Sequence, residues 1–142
     1  MKNLVTQGDL GESLKYPGQS ITHTLLTNSK VSATTGGLAL LFGVTIGIVL
    51  GIVAALNKNK WPDYLVMFIA ILGITVPVFV LAALLQYFFT VKWMILPTTG
   101  WGKPEHIILP VIAMAFGPIA TYARYLKSNM LEVMGQDYIL TA

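Results

Sequence analysis

The sequence predicts an all-α integral membrane fold with three transmembrane helices. Hydrophobic residues fill 55% of its 142 positions and charged residues 11%, whereas a soluble domain carries roughly 25% charged residues to wet its surface. The mean hydropathy is +0.70. Polar residues collect in short stretches between long apolar runs, the pattern of a chain solvated mainly by lipid.

Residues 1–30 read as an extramembrane segment. Positions 8–18 have loop composition, and Ile21, Leu25 and Leu26 then put an apolar edge on a short helix lying along the membrane surface. No apolar h-region precedes residue 31, so no cleavable signal peptide is expected. Residues 31–56 are free of charge and predict the first transmembrane helix. At 1.5 Å per residue they reach about 39 Å, against a hydrocarbon core of about 30 Å. Residues 57–63 form a very short connection, which makes the first two spans an antiparallel hairpin. Residues 64–91 predict the second span, kinked at Pro77. Residues 92–106 form a longer loop rich in turn formers: Pro97, Gly100, Gly102 and Pro104. Trp93 and Trp101 within it suit a membrane–water interface. Residues 107–123 predict the third span, with Pro110 and Pro118 inside. Residues 124–142 are of mixed polarity and predict a helix leaving the membrane.

Lysine and arginine placement does not set the orientation. Lys58, Lys60, Arg124 and Lys127 fall on one side of the membrane, and Lys15, Lys30, Lys92 and Lys103 on the other.

Two faces within the spans stand out. Ala39, Gly43, Gly47, Gly51 and Ala55 recur every four residues, so they line one side of the first helix as a continuous groove. Glycine costs about 1 kcal/mol against alanine inside a helix, and close approach of a partner helix offsets that cost. In the second span Thr75, Phe79 and Gln86 fall at spacings of four and seven, on either side of Pro77. Two readings stand for that face. It lines a transport pathway, or it is an ordinary kink with a helix-to-helix hydrogen bond.

Several classes are excluded or disfavoured. The chain has no cysteine, so disulfides and thiolate metal sites are ruled out. The net charge of +3 is scattered and makes no basic stripe for nucleic acid. No Asp, Glu or Lys lies within a span, which argues against a proton- or sodium-driven carrier. His23 and His106 have no acidic or histidine partner at ligand spacing and read as solvated polar residues. Ser13 and Ser20 sit in no motif. Arg124 and Lys127 read as interface anchors, with contact to a partner subunit as the alternative.

A set of short segments in fixed order carries a family resemblance. Gly8-Asp9-Leu10-Gly11-Glu12-Ser13-Leu14 precedes the first span, and Gly73-Ile74-Thr75-Val76-Pro77-Val78-Phe79 lies in the second. Leu96-Pro97, Gly100-Trp101-Gly102 and Ile108-Leu109-Pro110 follow. Met130-Leu131-Glu132-Val133 and Gln136-Asp137-Tyr138-Ile139 then run into Thr141-Ala142. Over nearly its whole length the chain resembles the B-type permease subunit of oligopeptide and dipeptide ATP-binding-cassette importers.

The resemblance implies a six-helix permease domain of which this is a central fragment, lacking the first helix and the last two and unable to transport by itself. It implies a homologous second permease, two cytoplasmic ATPase subunits and an extracytoplasmic peptide-binding protein, with no cofactor on the permease. It places residues 57–63 and 124–142 in the cytoplasm, and 1–30 and 92–106 outside. Asp137, Tyr138, Leu140, Thr141 and Ala142 match the start of the ATPase-docking loop motif, with Leu140 where the general motif has Glu; Glu132 belongs to the same coupling segment. ATP hydrolysis is expected on the partner subunits, since no phosphate-cradling Gly-rich loop occurs here. A same-family permease for nickel or another small solute, and a scaffold without transport, are the alternatives.

Overall fold

A computed structural model of the chain describes residues 10–136. Asp137, Tyr138, Leu140, Thr141 and Ala142 of the coupling motif lie outside the described residues. The elements are α1 (Ile21–Leu56), α2 (Trp61–Thr75), α3 (Val78–Gln86), a π-helical turn (Tyr87–Lys92) and α4 (Pro104–Met134). Among the described residues there is no strand, only an isolated bridge between Glu12 and Ser20. The chain divides into two compact units, one up to Gly37 and one from Leu38 onward.

In the first unit the loop before α1 is held by its own hydrogen bonds. Ser13 N–H donates to Gln19 O at 3.0 Å, and Ile21 N–H to Gly11 O at 2.9 Å. The two serines that carry no sequence motif both bond to backbone. Ser13 Oγ accepts from the N–H groups of Lys15 and Tyr16, each at 3.3 Å. Ser20 Oγ accepts from His23 N–H at 3.4 Å, which caps the start of α1. The helix therefore begins at Ile21 rather than at residue 31, so the expected surface helix and the first span are one continuous element. Within its polar first turns threonine hydroxyls donate back four residues, Thr27 to His23 O at 2.9 Å and Thr34 to Lys30 O at 2.8 Å, so they are satisfied without leaving the helix.

The second unit is organised around α4. From residue 38 on, α1 packs parallel to it, with contacts advancing four residues at a time on both helices. A methyl group added at Gly43 would stand 2.7 Å from Pro118 Cβ. One at Gly47 would meet Ile119 O and Tyr122 Cβ at 2.9 Å, and one at Gly51 would meet Ala123 O and Leu126 Cβ at 2.9 Å. Ala39 packs with Val111 and Ala115 at one end of this contact, and Ala55 is buried at the other. α2 runs antiparallel along another side of α4. There Gly73 faces Ala120 and Phe116 at 2.9–3.0 Å on the same measure, and Val66 joins Ala54 and Ala123 in a buried cluster.

The second apolar run is broken, not kinked. Val76 N–H still reaches Leu72 O at 2.9 Å, but Pro77 has no N–H to give and starts a new helix as its N-cap. The arms Trp61–Thr75 and Val78–Lys92 meet at a bend of 103°. Each rises about 22 Å, short of a bilayer core. Among the described residues two helices, α1 and α4, are thus long and apolar enough to cross by themselves, and the bent pair makes a third crossing only as a unit. α4 in turn is longer than the expected 107–123. Pro104 occupies a first-turn position where its missing N–H costs nothing, and the helix continues to Met134 before Gly135 caps it.

Gly47→Leu is expected to separate α1 from α4, because the side chain meets backbone oxygen on the facing helix. Leu56→Ala, at an exposed position, should be mild. A helix-association assay in detergent or bilayer checks both, and undiminished association of the Gly47 variant refutes the packing account.

Candidate functional site

Two constellations of polar groups sit at opposite ends of the second unit. The first is the 57–63 turn and the α4 segment beside it. Asn57 Nδ2 donates to Val53 O at 2.9 Å, tying the turn to the end of α1, and Lys60 N–H donates to Asn57 O at 2.9 Å. Asn59 takes a left-handed conformation (φ 61°), which asparagine accepts more readily than most residues. That conformation aims its N–H at Asp63 Oδ2, 3.0 Å away. Asp63, in the first turn of α2, is only 3% exposed. Its Oδ1 lies 2.5 Å from Lys127 Nζ on α4.

Lys127 is therefore the partner of a buried carboxylate, and its side chain is 20% exposed, which departs from the interface-anchor reading. Removing one member of such a pair leaves an uncompensated charge, a loss of roughly 3–5 kcal/mol in comparable sites. Sequence reasoning missed the pair because its members are far apart in the chain. A signal was present: Asp63 is the sole acidic residue between Glu12 and Glu105, and it borders an apolar run. Arg124 is exposed next to it and lines an open cavity of about 740 Å³ together with Lys127, Ser128 and Asn129. Glu132, further along α4, is exposed.

At the other end, the loop between the π-helical turn and α4 folds over a pocket of about 330 Å³. Val78, Ala82, Leu109, Pro110 and Ala113 supply its apolar wall, and Gln86, Thr98, Glu105 and His106 its polar rim. Gln86 Nε2 donates to Thr98 O at 3.1 Å, so the amide binds the loop. Thr90 Oγ1 donates to Gln86 O at 2.6 Å where the helix widens. His106 is not simply solvated. Its Nδ1 accepts from Lys103 N–H at 3.3 Å, and its ring lies against Gly100, where an added methyl would stand 2.5 Å from Nε2. Trp93 packs edge-on against Phe89 with ring centres 5.2 Å apart.

The face expected to join Thr75, Phe79 and Gln86 does not form. The break at Pro77 puts Thr75 on α2 and the other two on α3, so helical spacing no longer aligns them. Thr75 and Phe79 are exposed, Phe79 to 73%; of the three, Gln86 alone lines the pocket. No group of three or more His, Cys, Asp or Glu among the described residues is placed to hold a metal ion.

Fold and polar ends together define an integral membrane protein built of closely packed, partly broken helices. The profile of the family described as binding-protein-dependent transport system inner membrane component matches residues 47–142, and the chain belongs to that family. It is 42% identical over its full length to the dipeptide transport system permease protein of Bacillus subtilis, covering 46% of that protein. It is 37% identical, over 97% of its length and 46% of the relative, to the oligopeptide transport system permease protein of Salmonella typhimurium. The corresponding protein of Escherichia coli is 38% identical, again over 97% of this chain and 46% of its own. The chain thus spans about half the length of the relatives it matches.

Gly100 has φ +132° and the His106 ring against it, whereas Gly102 has φ +102° and open space. Gly100→Ala should therefore cost more than Gly102→Ala, which carries only backbone strain of about 1–3 kcal/mol. Thermal unfolding of both variants in detergent checks the order, and equal midpoints refute the packing role of His106.

Proposed function

We propose that this chain forms part of the membrane pathway of an ATP-binding-cassette importer for dipeptides or oligopeptides in a bacterial inner membrane. The observation that carries this reading is 37–42% identity, along 97–100% of this chain, to permeases named for dipeptide and oligopeptide transport. The relatives described above are named for peptides, so peptide is preferred over nickel, and membership of a transport family disfavours a scaffold. In this reading the partners are a homologous second permease, two cytoplasmic ATPase subunits that hydrolyse ATP, and an extracytoplasmic binding protein that delivers peptide.

The helix geometry supports an alternating pathway. The turn at 57–63 and the distal half of α4 share one end of the second unit, joined by Asp63 and Lys127. We assign that end to the cytoplasm and the 92–106 loop to the outer side. The break at Pro77 leaves Gly73 O without the N–H that a continuous helix would supply. Irregular backbone within a membrane is tolerated only where protein buries it or it lines a wet cavity. Thr75, Pro77, Phe79 and Gln86 are accordingly assigned to the pathway wall, although they share no single helix face. The small residues Ala39, Gly43, Gly47, Gly51 and Ala55 hold the wall together. Motion of the ATPases enters through Glu132, in the last turn of α4, and through Asp137, Tyr138, Leu140, Thr141 and Ala142, which come after α4 in the sequence.

Replacing Asp137 and Tyr138 by alanine in the assembled transporter should leave ATP hydrolysis running while peptide uptake falls. Simultaneous measurement of both in proteoliposomes checks this. An unchanged ratio of uptake to hydrolysis would remove those two residues from the coupling path.

A further inference from the structure

We infer that Asp63 and Lys127 are positioning residues for coupling: their ion pair clamps the α1–α2 turn to α4, so displacement at the end of α4 carries the hairpin with it. This deepens the importer reading and rests on it.

Packing alone does not account for an ion pair here. Asp63 is 3% exposed, and a carboxylate at that depth is strongly penalised without a cation and hydrogen bonds. Apolar side chains of similar size often replace a buried pair with no loss of stability. The apolar means are already at hand, since Ala54, Val66 and Ala123 form a buried cluster in the same region. What a charge pair adds is a defined register between two elements, because sliding by one residue would strand the carboxylate.

The surrounding geometry suits a clamp. Lys127 lies about two helical turns before Met134, the last residue of α4. From Ile119 to Met134 the helix has neither proline nor glycine and transmits a push as a stiff rod. On the receiving side the turn is bonded to both helices it connects. Asn57 Nδ2 holds Val53 O on α1, and Asn59 N–H holds Asp63 on α2. A force on Asp63 is therefore delivered to two helices at once. At the far end of α2 the chain bends by 103° beside Pro77, where the missing hydrogen bond lets α3 change its angle with little resistance. The clamp and the bend divide the work: one keeps three helix ends together, and the other absorbs their motion.

The test uses the transporter assembled with its ATPases and binding protein in proteoliposomes, with cysteines introduced as Asp63→Cys and Lys127→Cys. This segment has no cysteine of its own, and any in the rest of the complex are replaced. Peptide uptake per ATP hydrolysed is read with the two thiols free, and again after bridging by a short bis-methanethiosulfonate linker. With the thiols free, the ratio should fall about tenfold, within the usual range for coupling between two sites, while ATP hydrolysis persists. Bridging should restore most of the ratio, and reduction of the bridge should abolish it again. Lys127→Arg, which keeps the cation, should retain most of the wild-type ratio.

Two results overturn the inference. The ratio stays at the wild-type level with the thiols free, as it also does if uptake and hydrolysis fall together in proportion, or bridging leaves it low. Absence of peptide uptake by the unsubstituted complex is a separate result, because it removes the importer reading before any clamp is tested.

Discussion

Close backbone approach along α4 is the constraint on which the second unit depends. In a bilayer, lipid tails are as apolar as leucine, so helices gain little from hiding hydrophobic side chains from one another. Association must come from dispersion contacts between surfaces that fit, and those are available only if the backbones come near. Gly43, Gly47 and Gly51 provide that approach on α1, and Gly73 provides it on α2. The facing surface of α4 is itself built of small residues, with Ala113, Ala115, Ala120 and Ala123 all buried. The large apolar side chains point outward instead: Leu41, Val49, Phe68 and Ile71 are all exposed. In water that arrangement would be unstable. In lipid, or against further helices, it is the ordinary solution.

A tightly packed spine makes the exceptions informative. At one end a charged pair is buried where apolar packing would have sufficed, and at the other a loop closes over a pocket with a polar rim. Between them the second apolar run is cut by Pro77 into two arms, neither long enough to cross alone. In the clamp proposed above, the ion pair beside the 57–63 turn makes one end of the unit move as a body, and the break beside Pro77 is the point at which it bends. That division suits a permease that must open to each side in turn, the function proposed for it.

Much of this was legible without coordinates. The charge-free runs pointed to the long apolar helices, because hydrocarbon excludes charge over a known thickness. The four-residue recurrence of small residues identified the face of α1 that meets its neighbour. It did not identify which neighbour, since spacing describes one helix at a time. Gly73 was passed over for packing because it stands alone on α2, without a repeat to mark it. The common face for Thr75, Phe79 and Gln86 assumed a continuous helix, and spacing arguments fail once a break intervenes. His106 read as solvated because its partners, Gly100 and the Lys103 N–H, are loop backbone with no side-chain signature.

What the sequence determined by itself was the solvent, the helical class and the family: an all-α membrane chain whose ordered segments match peptide permeases. These follow from composition, from runs of residues and from local order, all of which survive in one dimension. The tertiary structure alone decided that α1 and α2 both pack on α4, that Pro77 breaks its helix by 103°, and that Asp63 faces Lys127. Each of those depends on the rotation and register of one helix against another. Both are set by side-chain fit across the contact, and a linear sequence holds no coordinate for either.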